Sequence, residues 1–281
     1  LNVELSVGGL TFGLENVLQC VKLPSLMAQF EITITKDPGE IEAAQRLRFQ
    51  VFNLEMKKGL RASYERGLDT DAFDAYCDHL IVRDLNSKEV VGTYRLMLGT
   101  QARKNIGFYS EQEFDLDRIK RLDGELLELG RTCARRDFRD KALIPLMWET
   151  IVNFARQHGV RYIFGCGSLY TTEVGEVSRC FALLRNKYYA PEAYRVYPVP
   201  ATVFAGVDQK LEWEHDPALF QRLPSLIKGY LRAGAWICGP PALDSEFGTT
   251  DFFLLLDFDK LGGDYMNRLG LAGQKLNDAL A

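Results

Sequence analysis

Five basic side chains crowd one short stretch of this sequence. Arg131, Arg135, Arg136, Arg139 and Lys141 face only two acids there, Asp137 and Asp140, for a net charge of +3 across residues 131–141. The 281-residue chain as a whole carries −4, so the positive charge is local and gives no general nucleic-acid bias. A patch of this kind suits an acidic partner or a phosphate-bearing ligand. A solvated loop is the competing reading, and composition does not separate the two.

The elements around the patch favour a site. LLELGRTCAR (126–135) alternates as a strand, with Leu127, Leu129, Arg131 and Cys133 against Glu128, Gly130, Thr132 and Ala134. A basic loop follows at 135–141. From Leu143 to His158, Leu143, Ile144, Met147, Trp148, Ile151, Phe154 and Ala155 recur at helical spacing. Pro145 falls in the first turn, where backbone N–H groups lack intrahelical partners in any case. Gly159 ends the helix, and VRYIFGCGSLY (160–170) reads as a buried strand. Strand, helix and strand in this order imply a parallel crossover. The helix N-terminus beside the basic loop is then a natural anion site.

Upstream, FEITITKDP (30–38) alternates as a strand and a helix is expected over about 40–56. A polar, acid-rich loop at 57–78 precedes a hairpin, 78–84 and 89–98, turning at Asn86-Ser87. Residues 99–125 read as irregular or briefly helical. Downstream, 173–188 is an amphipathic helix, 194–198 a short strand, 223–239 one helix running into Gly239-Pro240-Pro241, and 251–261 a buried strand. Residues 1–30 read as an N-terminal extension, 31–262 as one domain and 263–281 as a tail.

Six scattered cysteines (Cys20, Cys77, Cys133, Cys166, Cys180, Cys238) form no CxxC pair, as expected of reduced thiols in the cytoplasm. The histidines, His79, His158 and His215, make no metal-like spacing, so no metal is expected. No apolar run reaches the ~18 residues of a membrane span, and the first residues lack a signal-peptide pattern.

The order of elements resembles the GNAT (Gcn5-related N-acetyltransferase) fold, an α/β (α+β) architecture with a central mixed sheet flanked by helices. In that fold two neighbouring strands splay apart and an acyl-thioester arm enters between them. The usual glycine-rich phosphate loop is absent, since RDFRDKAL (136–143) contains no glycine, and a close pyrophosphate cradle favours glycine. A narrower similarity is to the autoinducer (acyl-homoserine-lactone) synthases, carried by Arg48 and Phe52, Asp69, Asp71 and Asp74, Gly92 with Arg95-Leu96, and Glu128 with Arg131. Closer still, the chain resembles the hemolysin-like ornithine-lipid N-acyltransferases from about 40 to 260. LDTDAFDAYCDHLIVRD (68–84), ELGRTCARRDFRD (128–140), YIFGCGSL (162–169), LPSLIKGYLRAGAWICGPPALD (223–244) and DFFLLLD (251–257) carry it.

The resemblance implies transfer of a 3-hydroxyacyl group from acyl carrier protein to the α-amine of ornithine, with acyl-phosphopantetheine as the donor and no tightly bound cofactor. Such chemistry needs a neutral amine, donors for the oxyanion and release of the thiolate. Glu128 is the expected general base or amine-positioning carboxylate, acting directly or through water, and Arg131 its catalytic neighbour. Asp71 and Asp74 are expected to hold cationic groups of the acceptor, and Arg95 or Arg131 its carboxylate. Backbone N–H groups at Thr132–Ala134 are the expected oxyanion donors. Arg135, Arg136, Arg139 and Lys141 are expected to meet the carrier protein. Period-two geometry points Glu128 and Arg131 to opposite faces unless a bulge intervenes, and a salt bridge from Glu128 to a nearby arginine is the structural alternative. Cys166 and Ser168 lack a nucleophile-elbow pattern, while Tyr188 or Tyr189 is a candidate acid for the leaving thiolate. The 223–238 stretch would border an acyl tunnel, touch a bilayer surface or pack in the core. An autoinducer-type synthase and a non-catalytic acyl-carrier or lipid-binding protein are the alternatives.

Overall fold

The computed structural model describes residues 29–139, 143–214 and 216–261, together with the short antiparallel pair Ser6–Val7 and Leu10–Thr11. Strand β1 (Phe30–Thr35) leads to Asp37, whose carboxylate accepts the N–H groups of Gly39 and Glu40 and starts helix α1 (Pro38–Arg48). Pro38 is tolerated in the first turn because no intrahelical acceptor awaits its nitrogen. The helix loosens into a π-helical segment, Phe49–Glu55. Strands β2 (Asp78–Asp84) and β3 (Val90–Leu98) form the expected hairpin. Asp84 holds its turn by accepting from the Ser87 N–H and hydroxyl.

The central unit is β4 (Glu125–Ala134), α2 (Leu143–Gln157) and β5 (Val160–Leu169), with β4 and β5 parallel. Helix α3 (Val174–Tyr188) follows, then helix α4 (Ser225–Ala233), β6 (Trp236–Ile237), β7 (Ala242–Asp244) and β8 (Thr249–Asp257). The eight-stranded sheet runs β6-β8-β5-β4-β3-β2-β1, with β7 also on β8. Every residue of β3 and β8 is buried, which requires cover on both faces, and both strands are mainly apolar. Leu80, Val82, Leu127 and Leu129 pack with Met147 and Trp148 on one face, whereas Ala44, Leu47 and Val51 meet Ile81 and Val90 on the other.

Pairing of β4 with β5 ends at Glu128 and Phe164, although both strands continue. This is the splay implied by the fold resemblance. Gly165 sits at its apex, where a Cβ would come within 2.3 Å of the Leu129 carbonyl oxygen. The expected single helix over 223–239 is corrected: it stops at Ala233 because Gly234 turns left-handed (φ 97°), and Trp236 then pairs with Leu255. The strand expected over 194–198 shrinks to Tyr197–Pro198, paired with Phe114–Asp115. The readings for the C-terminal tail and most of residues 1–30 lie outside the described residues.

Candidate active site

A cleft opens where β4 and β5 part. Strand β4 supplies Glu128, Gly130, Arg131 and Thr132, while β5 supplies Cys166 and Ser168. The β7–β8 hairpin adds Asp244, Phe247 and Asp251, and α4 adds Leu226 and Tyr230.

One wall rests on a buried ion network. Arg48 forks onto Asp74 at 2.9 and 2.7 Å and lies 3.0 Å from Asp69. Arg95 bonds Asp71 at 2.5 Å and Asp74 at 3.2 Å, and Arg131 reaches Asp71 at 3.1 Å. Three arginines thus meet three aspartates, so the network is neutral in itself. Burial alone would raise the Asp71 carboxyl, but the guanidiniums of Arg95 and Arg131 hold it below its ordinary range. Arg48 does the same for Asp74. Asp71 and Asp74 are therefore counter-ions behind Arg95 and Arg131 rather than groups on the cleft wall, which corrects their expected placement. The cleft side presents Arg95 and Arg131, with Arg131 lying over Tyr109 and Phe247 at 5.1 and 4.7 Å.

Glu128 is buried, 4% exposed, yet lines the cleft. One carboxylate oxygen accepts the Tyr109 N–H at 2.8 Å. The other accepts the Ser110 N–H at 2.7 Å and the Ser110 hydroxyl at 2.5 Å. No arginine pairs with it among the described residues, so the structural salt bridge is absent there. Burial pushes its carboxyl above the ordinary range, opposed by the Ser110 and Tyr109 hydrogen bonds. A desolvated carboxylate so held is a stronger base than a free one.

Arg131 shares this face because β4 bulges. Arg95 stands opposite Gly130 and Thr93 opposite Cys133, so Tyr94 alone faces both Arg131 and Thr132. Arg131 takes φ 46°, the left-handed conformation such a bulge demands. Beyond Glu128, β4 has no strand partner toward β5, and its peptide groups there border the gap.

A second acidic group lies across the cleft floor. The carboxylates of Glu113 and Asp251 and the sulfur of Cys166 lie within 4.8 Å of one another. Burial pushes Glu113 well up, with Asp251 and Asp244 adding to it. Asp251 rises to about 6 through burial, opposed by hydrogen bonding to Ser168 and Thr249. Burial and Glu113 also push the Cys166 thiol well above its ordinary value, which disfavours a thiolate nucleophile.

A family profile, the Acetyltransferase (GNAT) domain, matches residues 47–149. The L-ornithine N(alpha)-acyltransferase of Brucella abortus (strain 2308) is 35% identical over 255 residues, covering 87% of this chain and 90% of that protein. The chain belongs to the L-ornithine N(alpha)-acyltransferase family. The protein of the same name from Rhodobacter capsulatus is 34% identical over 235 residues, 81% of this chain and 90% of that one. Among solved structures, a CoA-dependent acyl-homoserine lactone synthase superposes with a TM-score of 0.48 at 14% identity, over 86% of this chain and 90% of its own. An N-acyl amino acid synthase from uncultured soil microbes gives 0.45 at 10%, over 87% and 97%.

In this family member, the remaining expected residues divide. Arg135 is held by Glu89 and Asp137 and covers the Phe138 ring, and Arg139 pairs with Glu55. Arg136 is exposed without an ion-pair partner among the described residues, and Lys141 lies outside them. The patch is thus more neutralised than its sequence count implies. Tyr188 stacks on Phe220 and Tyr189 packs with Arg195, and neither lines the cleft. Tyr109, Ser110, Glu113, Asp244 and Asp251 went unread in the sequence. The alternation of buried Asp251 with Thr249 and Phe253 in an otherwise apolar strand was the available signal.

Proposed function

We propose that the chain transfers a fatty acyl group, a 3-hydroxyacyl group, from the phosphopantetheine thioester of acyl carrier protein to the α-amine of ornithine, the first step of ornithine-lipid synthesis. The observation that carries this reading is Glu128: an unpaired carboxylate, buried, held by three donors and facing the cleft at the point where β4 and β5 part. The Brucella abortus and Rhodobacter capsulatus relatives are named for L-ornithine, which favours that acceptor.

The acceptor arrives as an ammonium ion, and Glu128 takes its proton. The freed amine attacks the thioester carbonyl, forming the C–N bond, while backbone N–H groups along Thr132–Ala134 receive the oxyanion. Collapse of the tetrahedral intermediate breaks the C–S bond, and the thiolate leaves to take up a proton. Arg95 or Arg131 pairs with the acceptor carboxylate, each pre-positioned by Asp71. Arg135, Arg136, Arg139 and Lys141 meet the acidic carrier protein. The apolar side chains of Leu226 and Tyr230 border the cleft and guide the acyl chain. No helix among the described residues is long and apolar enough to cross a membrane. We place the enzyme in the cytoplasm, in peripheral contact with the inner face of the membrane that receives its product.

The test is thiol release from purified protein, 3-hydroxyacyl carrier protein and a panel of free amino acids. Ornithine-dependent release supports the reading. Release with another amine keeps the class and changes the acceptor, and carrier binding without release under any amine overturns the enzymatic reading.

A further inference from the structure

Buried carboxylates in proteins ordinarily find a cation or several hydrogen-bond donors. Asp69, Asp71 and Asp74 have arginines, and Glu128 has three donors. Glu113 has no cation. It is 4% exposed, no N–H or alcohol donor reaches its oxygens among the described residues, and its polar neighbours are the weak Cys166 thiol and the Asp251 carboxyl. Asp251, 5% exposed, receives the Thr249 hydroxyl at 3.1 Å. Asp244, on the neighbouring strand, accepts the backbone N–H groups of Glu246 and Phe247. None of the three has an ion-pair partner among the described residues. Asp244, Asp251 and Cys166 line the cleft, and Glu113 stands directly behind them.

We propose that Asp251, backed by Glu113 and flanked by Asp244, receives the side-chain ammonium of the acceptor amino acid and so selects a basic acceptor. The inference rests on the reading of the cleft as an amino-acid N-acylation site and adds to it the part of the acceptor that does not react. The Ser110 hydroxyl and the Cys166 sulfur link Glu128 to this group: Ser110 Oγ is 2.5 Å from Glu128 and 3.4 Å from Cys166 Sγ. Four carbons separate the two amine nitrogens of ornithine, a span on a similar scale, so one amine reaches Glu128 while the other reaches Asp251. A cation there supplies the charge that the protein itself withholds. In its absence the two carboxyls share a proton, since like charges so close in a buried site do not both ionise.

The experiment compares ornithine with norvaline, which has the same carbon skeleton without the terminal amine, in the thiol-release assay. Wild-type enzyme is expected to favour ornithine in kcat/KM. Asp251→Asn is expected to shrink that preference by roughly tenfold or more, chiefly through the KM for ornithine, because it removes one partner of a buried charge pair. Glu113→Gln, which keeps the shape behind Asp251, is expected to move the ratio in the same direction and serves if Asp251→Asn fails to fold. An unchanged ratio in both variants overturns the inference while leaving the N-acylation reading intact. Wild-type enzyme inert toward ornithine defeats the acceptor reading itself. Loss of turnover on EDTA treatment, restored by Zn²⁺ alone, assigns the trio to a metal and overturns the ammonium site.

Discussion

Glu128 and Arg131 reach the same cleft from one strand because Tyr94 on β3 faces two residues of β4 rather than one. Without that bulge, residues three apart on a strand point to opposite faces. The Glu128 carboxylate and the Arg131 guanidinium share a face only through the left-handed turn at Arg131. Replacing Glu128 by Gln keeps the volume and removes the proton acceptor. The expected loss is about 10²–10⁴ in kcat, with a pH profile that no longer shows an acidic limb above the ordinary glutamate range. A variant retaining full kcat would remove Glu128 from the mechanism.

The ion network predicts a steep stability cost at a residue that never touches the cleft. Arg48 is fully buried against Asp69 and Asp74. Arg48→Met leaves those carboxylates short of a cation and is expected to cost about 3–5 kcal/mol in urea unfolding. Adding Asp74→Asn is expected to cost less than the sum of the two single changes, because the lost partners are shared. Additive costs would show that the two side chains do not act as a pair.

Stability is expected to respond to pH in two windows of opposite sign. Asp71 and Asp74 are held below the ordinary aspartate range. Their contribution is present above that range and is lost as pH falls through the depressed values. Asp251 is raised to about 6 from 3.8. The folded state therefore binds the proton more tightly, so the associated stability is full below about 4 and is lost as pH rises toward about 6. Urea midpoints measured from pH 4 to 7 should fall through that interval in wild type and fall less steeply in Asp251→Asn, where the raised carboxyls of Glu113 and Glu128 still act in the same direction.

Charge at the donor side is expected to act on encounter. Arg136 is unpaired among the described residues, and Arg139 is shared with Glu55. Arg136→Ala with Arg139→Ala should raise the KM for a carrier-borne donor severalfold at low salt, an effect that fades as salt screens it. A KM unchanged at low salt excludes these two residues from carrier recognition.

The strand–helix–strand unit over 126–170 was legible because period and length agree: alternating residues, a helical apolar stripe, Gly159, then a short apolar run. The splay could be read only through family resemblance, since it depends on Gly165 meeting the Leu129 carbonyl, a contact between residues far apart in sequence. The acidic motif was visible as residue types, yet its arrangement was not. Asp71 and Asp74 look like ligands for a cation until the structure shows that Arg48, Arg95 and Arg131 already serve them. Helix α4 read too long because Ala235-Trp236-Ile237 continues the apolar pattern, and one left-handed glycine overrides it. The Glu113 and Asp251 pair was hidden because 138 positions separate them in the chain.

Strand β8 lies between β6 and β5 rather than at the edge of the sheet. Lys58 Nζ donates to the Gly248 carbonyl at 2.5 Å, and Phe52 meets Phe247 edge-on. The two flanks of the cleft thus come from segments 190 positions apart in the chain. Contacts across so many residues are slow to form because loop closure precedes their reward. A nascent chain halted before residue 244 would hold Glu128 and Arg131 but neither Asp251 nor Phe247. The cleft is therefore complete only once β8 has taken its place in the middle of a sheet already begun.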